Sequence, residues 1–311
     1  MDRLTLALAG LLVLGCGGAT PDPVEPEPAV EAPPPEPDTP FERVTALPAG
    51  VRTVIGLDLA ALRGGPIYGL IRMAMDGDGP SNITGRVLLE HTDTVRLGMY
   101  GERPQVVVIG RGPRLEGVVD SLVEQLGEGG RPPTPVDRLG FRAWYVDDDM
   151  VLCQTAPDTV VVTFPEQLNP VLRVAAGQQA ATALPDEMQA LLERPGIAGR
   201  PMWVVFRALR DRRADPLDRL ITEAGYAGVG AELRGQQLHV TGIAEAPSVE
   251  RAAELRAELG EAQQTEAGGG GLGEALRAAA ISGEGAWVEV ELDVSTEQLD
   301  GLMDLIDPMA R

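Results

Sequence analysis

Lysine is absent from this 311-residue sequence, so all 26 of its basic residues are arginine. Without lysine the chain cannot form a Schiff base with a substrate, and it cannot build a phosphate-binding loop that depends on a lysine. Histidine is scarce too, because His91 and His239 are the only two, and neither lies in a sequence cluster of histidine or cysteine. The sequence therefore predicts no metal site and no cofactor.

Positive charge is in short supply overall, since 47 acidic residues leave a formal net charge of -21. A nucleic acid would be repelled by such a chain at long range, so we expect no nucleic-acid partner. Aromatic residues make up only 4% of the sequence, yet hydrophobic residues make up 44%. That is enough apolar surface for one large or two ordinary folded domains.

The apolar run over residues 4–14 is too short to span a membrane. As a helix it would cover only about 16 Å of a bilayer core that is roughly 30 Å thick. Arg3 precedes it, and a short basic start before an apolar segment of this length is typical of a signal peptide. We therefore expect residues 1–15 to be a signal peptide that is removed.

The run closes with Val13-Leu14-Gly15-Cys16, which resembles the lipobox of bacterial lipoproteins. The resemblance covers the first 16 residues and implies cleavage between Gly15 and Cys16, a diacylglyceryl thioether on Cys16 and N-acylation. Several acyl chains would hold the protein firmly to a membrane. Gly17 stands where an aspartate signals inner-membrane retention in enteric bacteria, so the resemblance favours the outer membrane. Ordinary secretory cleavage nearby is the alternative.

Residues 16–40 are predicted to be the lipidated cysteine followed by a disordered tether. Residues 17–40 hold nine prolines and six acidic residues and almost nothing apolar, a composition that cannot form a core. Extended polyproline chain of this length would reach at most about 75 Å from the membrane. Cys153 is the only other cysteine, and its apolar neighbours predict a buried structural thiol; an intermolecular disulfide and a nucleophile are the alternatives.

The remaining sequence predicts an α+β fold made of two similar β-α-β-β-α-β units, residues 41–180 and 181–311. We expect antiparallel or mixed sheets with helices packed on one face, and one sheet shared by both units is equally allowed. Two short matches indicate duplication: Ala61-Leu62-Arg63 with Ala208-Leu209-Arg210, and Val108-Ile109-Gly110 with Val240-Thr241-Gly242. Helices are predicted to start at Pro66, Pro113, Pro165, Pro216, Pro247 and Ser295.

Several short motifs resemble known sites but depart from them. Gly110-Arg111-Gly112 lacks the third glycine of a dinucleotide fingerprint at position 115, and Asp76-Gly77-Asp78-Gly79 lacks the EF-hand carboxylate at Val87. The strand around His239 is expected to point that side chain, with Gln237 and Thr241, toward solvent or a groove.

The one basic concentration is a candidate partner-binding site. It consists of Arg207, Arg210, Arg212 and Arg213. Arginine suits bidentate recognition of carboxylates or phosphates, whereas pairing with the nearby aspartates on a solvated surface is the simpler interpretation.

The sequence as a whole favours a non-catalytic, lipid-anchored envelope protein that binds or scaffolds an unidentified envelope protein or polymer. A lipid-anchored periplasmic hydrolase using His91 or His239 is one alternative. A solute-binding lipoprotein is the other, although the alternating helix-strand order of such folds is missing from the sequence.

Overall fold

A computed structural model describes residues 47–75, 79–101, 105–113, 115, 117–128, 132–179, 184–207, 223–235, 237–265 and 277–295. Two compact units divide the chain between Leu184 and Pro185, and we call them the N-terminal and C-terminal units. The expected signal peptide, the tether and the helices predicted after Pro216 and Ser295 lie outside the described residues. Helices and antiparallel sheets make up both units, so the predicted α+β class is confirmed.

The N-terminal unit contains an antiparallel sheet whose strands lie in the order β1-β2-β3-β7-β6-β5-β4. These strands are β1 (Val51–Asp58), β2 (Thr94–Tyr100), β3 (Gln105–Arg111), β4 (Thr134–Arg138), β5 (Phe141–Tyr145), β6 (Val151–Ala156) and β7 (Thr159–Thr163). Short turns join β4 to β5, β5 to β6 and β6 to β7, so this end of the sheet is a meander.

The helices of the N-terminal unit are α1 (Leu59–Leu62), α2 (Pro66–Ala74), α3 (Pro80–His91), α4 (Val118–Glu128) and α5 (Pro165–Ala175). The predicted start of α4 at Pro113 is wrong, because Gly117 has a φ of 74°, and a helix can begin only after that left-handed residue. The helix predicted to start at Pro165 is present as α5 and continues past Pro170 to Ala175. Burial of Leu168, Val171 and Leu172 stabilises α5 through the proline.

Helices cover both faces of the sheet in the N-terminal unit. One cluster joins α4 to the sheet through Val119, Leu122, Leu126, Trp144 and Leu152. A second cluster joins α5 to the sheet through Leu168, Leu172, Ala143, Val151 and Cys153. Because successive strand residues point to opposite faces, the two clusters lie on opposite sides of β5 and β6. The predicted packing of helices on one face is therefore wrong for this unit, since both faces of these strands are apolar.

The C-terminal unit has an antiparallel sheet in the order β11-β12-β10-β9-β8. Its elements are α6 (Asp186–Glu193), β8 (Met202–Arg207), β9 (Tyr226–Arg234), β10 (Gln237–Glu245), α7 (Val249–Thr265), β11 (Ala280–Ser282) and β12 (Trp287–Ser295). The start of α7 lies two residues after the predicted Pro247, because the Ser248 hydroxyl accepts the Arg251 backbone N–H at 3.1 Å and acts as the N-cap.

Candidate functional site

Polar side chains from three adjacent strands share one face of the C-terminal sheet. Glu232 on β9, His239 on β10 and Asp293 on β12 are cross-strand neighbours, and Thr241 and Glu291 form the next pair of neighbours on β10 and β12. Directly opposed residues of paired strands project from the same face. With Glu289, two residues before Glu291 on β12, these six side chains form what we call the charged face.

The connection between α6 and β8 packs over part of the charged face. It can do so because β9 presents two glycines there: a Cβ on Gly230 would collide with the Gly196 carbonyl oxygen, and a Cβ on Gly228 would collide with Ile197. The same connection lies over β10, where a Cβ on Gly196 would come within 2.6 Å of Thr241 Cγ2. Thr241 is consequently only 1% exposed.

Arginines of the same unit neutralise two of the four carboxylates. Arg200 forms an ion pair with Glu232, and Arg234 Nε lies 2.7 Å from Glu232 Oε1. The hydrogen bond from Arg200 lowers the pKa of Glu232, with a smaller contribution from Arg234 that acts in the same direction and partial desolvation opposing it. Arg194 Nη2 lies 2.6 Å from Glu289 Oε1.

Arg194 also stacks on an aromatic ring. Its guanidinium carbon lies 4.5 Å from the centroid of Trp287, the first residue of β12. This cation–π contact and the pair with Glu289 both join the C-terminal end of α6 to β12. They fix α6 beside the charged face.

His239 is buried against a carboxylate. Its Nδ1 lies 2.9 Å from Asp293 Oδ1, and His239 is only 6% exposed whereas the Asp293 side chain is 54% exposed. An ionised carboxylate only accepts hydrogen bonds, so the contact requires the proton on Nδ1. The expected alternation along β10 is present, but the placement toward solvent or a groove is wrong for His239 and Thr241. Of the three, only Gln237 is exposed, and the α6–β8 connection covers Thr241.

Thr241 and Glu291 lack the hydrogen bonds and ion pairs that the other side chains of the charged face make with described residues. Within the described ranges the buried Thr241 hydroxyl has no hydrogen-bond partner, and the half-buried Glu291 has no ion pair. Thr241 is the direct cross-strand neighbour of Glu291, so the hydroxyl and the carboxylate project from the same part of the sheet. The described residues contain no group of three or more histidine, cysteine, aspartate or glutamate side chains arranged for a metal ion.

Three of the four residues in the predicted arginine cluster, Arg210, Arg212 and Arg213, lie outside the described residues, as do Gly15 and Cys16 at the expected cleavage site. The fourth, Arg207, is exposed at the end of β8, where it pairs in register with Tyr226. No helix in the described parts of the chain is long and apolar enough to cross a membrane.

The other two candidates from the sequence are His91 and Cys153. His91 is the half-buried last residue of α3 in the N-terminal unit. The predicted burial of Cys153 is confirmed: its Sγ lies 3.4 Å from the Arg142 carbonyl oxygen, and desolvation raises its pKa to about 12. Such a thiol is almost entirely protonated at neutral pH, so it is a poor nucleophile.

Sequence reasoning missed the charged face because its members come from three strands. One signal was visible, since Glu289, Glu291 and Asp293 alternate along a single predicted strand and must share one side of it. Their pairing with His239 and Glu232 depends on register between strands far apart in sequence, which no local pattern specifies.

No family profile and no curated protein matches this chain. Solved structures do match it. Crystal forms IV, III and I of TP0453 superpose with TM-scores of 0.55, 0.56 and 0.54 at 11%, 11% and 12% sequence identity. The matches cover 84%, 84% and 85% of this chain and 95%, 96% and 96% of the TP0453 chains.

This chain shares the fold of TP0453. At such low identity the likeness extends to the fold alone. What the charged face does must therefore be argued from its own residues.

Proposed function

We propose that this chain is a lipid-anchored protein of the bacterial cell envelope whose body binds or scaffolds another envelope component without catalysing a reaction. The observation that carries this proposal is Val13-Leu14-Gly15-Cys16 directly after the apolar residues 4–14. In this proposal Cys16 carries the lipid, and Gly17 favours the outer membrane over the inner one. The proline-rich residues 17–40 hold the body away from the lipid surface, where it can reach a partner.

We infer further that the body arose by duplication of a β-α-β-β-α-β unit. In the N-terminal sheet β1, β2 and β3 are consecutive along the chain and lie side by side, and β7 lies next to β3. In the C-terminal sheet β8, β9 and β10 have the same arrangement, with β12 next to β10, and α4 and α7 each follow the third strand. Val108-Ile109-Gly110 of β3 then corresponds to Val240-Thr241-Gly242 of β10. The hairpin of β4 and β5 is an addition to the N-terminal unit.

A mass measurement of the mature protein tests the lipid anchor. We expect a polypeptide that begins at Cys16 and carries a diacylglyceryl group and an N-acyl chain, recovered in the membrane fraction. Cys16→Ser should move the protein to the soluble fraction. Cys153→Ser is the matched control, because it removes the buried thiol and should leave the protein in the membrane fraction. An unmodified mature N-terminus, or membrane association that survives Cys16→Ser, would contradict the proposal.

A hydrolase is the second candidate, and the pair formed by His239 and Asp293 is the observation that favours it. A carboxylate that holds a histidine by Nδ1 is two members of a Ser-His-Asp arrangement. The two candidates separate on a simple assay of p-nitrophenyl ester hydrolysis. Turnover by the wild type that is lost in His239→Gln would favour the hydrolase, whereas a binding protein gives the same background rate with both chains.

A further inference from the structure

We propose that the charged face docks an extended basic segment of an envelope protein, with arginine or lysine side chains lying over Glu291 and Asp293. This inference rests on the binding role proposed above and adds the chemistry of the partner. Three observations carry it: the contrast with the corresponding positions of the N-terminal unit, the carboxylates that remain unbalanced, and the spacing of the acidic residues along β12.

The N-terminal unit shows what the corresponding face of the sheet looks like when a helix of the same unit covers it. Its four positions are Val107, Ile109, Val161 and Thr163, and those of the C-terminal unit are His239, Thr241, Glu291 and Asp293. All four residues of the N-terminal unit are at most 5% exposed, and α5 packs on their face of the sheet. The C-terminal unit has charged and polar side chains there, which cannot bury an apolar helix stripe.

The charges on this face are incompletely balanced within the unit. Glu232 and Glu289 have arginine partners, but Asp293 has only His239, and Glu291 has no ion pair within the described ranges. The Thr241 side chain beside Glu291 is 1% exposed, and its hydroxyl has no hydrogen-bond partner among the described residues. A guanidinium or ammonium group placed over Glu291 would supply the missing positive charge.

The geometry of β12 favours an extended ligand. Glu289, Glu291 and Asp293 occupy alternate positions, so their side chains recur about every 6.6 to 6.8 Å along the strand. Alternate side chains of an extended peptide recur at the same interval, whereas those of a helix do not. In addition, β11 pairs with β12 only at residues 289–291. Beside Leu292 and Asp293 the described residues provide no further strand on that edge, and the proposed peptide would pair there.

Fluorescence anisotropy with a labelled peptide of alternating arginine and serine tests the proposal on the full-length chain in detergent. We expect saturable binding to the wild type that weakens as salt is added. The double variant Glu291→Gln/Asp293→Asn should weaken binding by about fivefold, the effect of losing two partly exposed charge pairs.

The matched control is Asp148→Asn/Asp149→Asn, which removes the same formal charge from an exposed turn between β5 and β6. It should leave the affinity unchanged. Equal weakening by both double variants would overturn the proposal, because binding would then follow net charge alone, and so would a wild type that does not bind the peptide. Circular dichroism confirms that each variant folds. The lipid anchor is tested separately by mass measurement, so the docking proposal can fail while the lipid anchor is still supported.

Discussion

The two units differ on one face of their sheets, at the positions that the proposed duplication pairs with each other. In the N-terminal unit the face around Ile109 and Val161 is apolar, and α5 covers it. In the C-terminal unit the face that the proposed duplication makes its counterpart holds Thr241 and Glu291, and among the described residues the α6–β8 connection covers Thr241. In the proposed duplication, one unit keeps an apolar face that a helix covers, and the other has charged side chains on that face while the opposite face of its sheet stays apolar.

The largest effect on stability is expected when a residue of one unit is placed at the corresponding position of the other. Val161→Glu places the residue of the C-terminal unit at the corresponding position of the N-terminal unit, where the side chain is 2% exposed and has no arginine partner. We expect the free energy of unfolding to fall by about 4 kcal/mol, because a buried carboxylate would lack a counter-charge. Urea denaturation followed by circular dichroism measures it. A loss below about 1 kcal/mol would show that this face is as open as its counterpart.

The glycines of β9 allow a second test. Gly230→Ala should lower the free energy of unfolding by about 2 to 3 kcal/mol, since its Cβ would press on the backbone carbonyl of Gly196 and push the α6–β8 connection off the charged face. The matched control is Gly242→Ala, whose Cβ would lie 3.9 Å from the Val290 carbonyl oxygen and fits without displacement. Equal loss in both variants would mean that glycine flexibility matters here and close packing does not.

Acid sensitivity should differ with and without the Glu232 carboxylate. Arg200 lowers the pKa of Glu232 below its ordinary value of 4.5, so the stability that this pair adds is present above pH 4.5 and is lost as pH falls through the lowered value. Glu232→Gln should be less stable than the wild type by up to about 1 kcal/mol at pH 7, and the two curves should converge in acid. Melting temperatures measured at several pH values check this. Parallel curves would contradict the role given to the pair.

Much of the fold was predictable from local patterns. The stripe of Val119, Leu122 and Leu126 and the alternation along β1, β2 and β10 predict helices and strands, because burial on one face leaves a period in the sequence. β4 was missed because Pro135 interrupts it and most of its residues are exposed, so it carries no apolar alternation. The packing of helices on both faces of the N-terminal sheet was not predicted, because it depends on how helices from different segments pack against the strands.

The candidate site was less predictable than the fold. Local sequence shows that Glu289, Glu291 and Asp293 share a side of one strand, but His239 and Asp293 are 54 residues apart and meet only through the register of β10 with β12. The burial of Thr241 depends on the α6–β8 connection, whose position follows from Gly228 and Gly230 on another strand. These are relations between segments, and periodicity within a segment carries no information about them.

The reverse substitution, Glu291→Val, should have the smallest effect on stability, and it tests whether Glu291 is free of contacts that stabilise the fold. The half-buried Glu291 has no ion pair with another described residue and contributes little to folding, so we expect the free energy of unfolding to change by no more than about 0.5 kcal/mol. Val161→Glu and Glu291→Val would then differ by several kcal/mol, as expected for a fully buried apolar position and a half-buried charged one. If Glu291→Val cost more than about 2 kcal/mol, the carboxylate would be part of what stabilises the C-terminal sheet, and it would not be available to a basic partner.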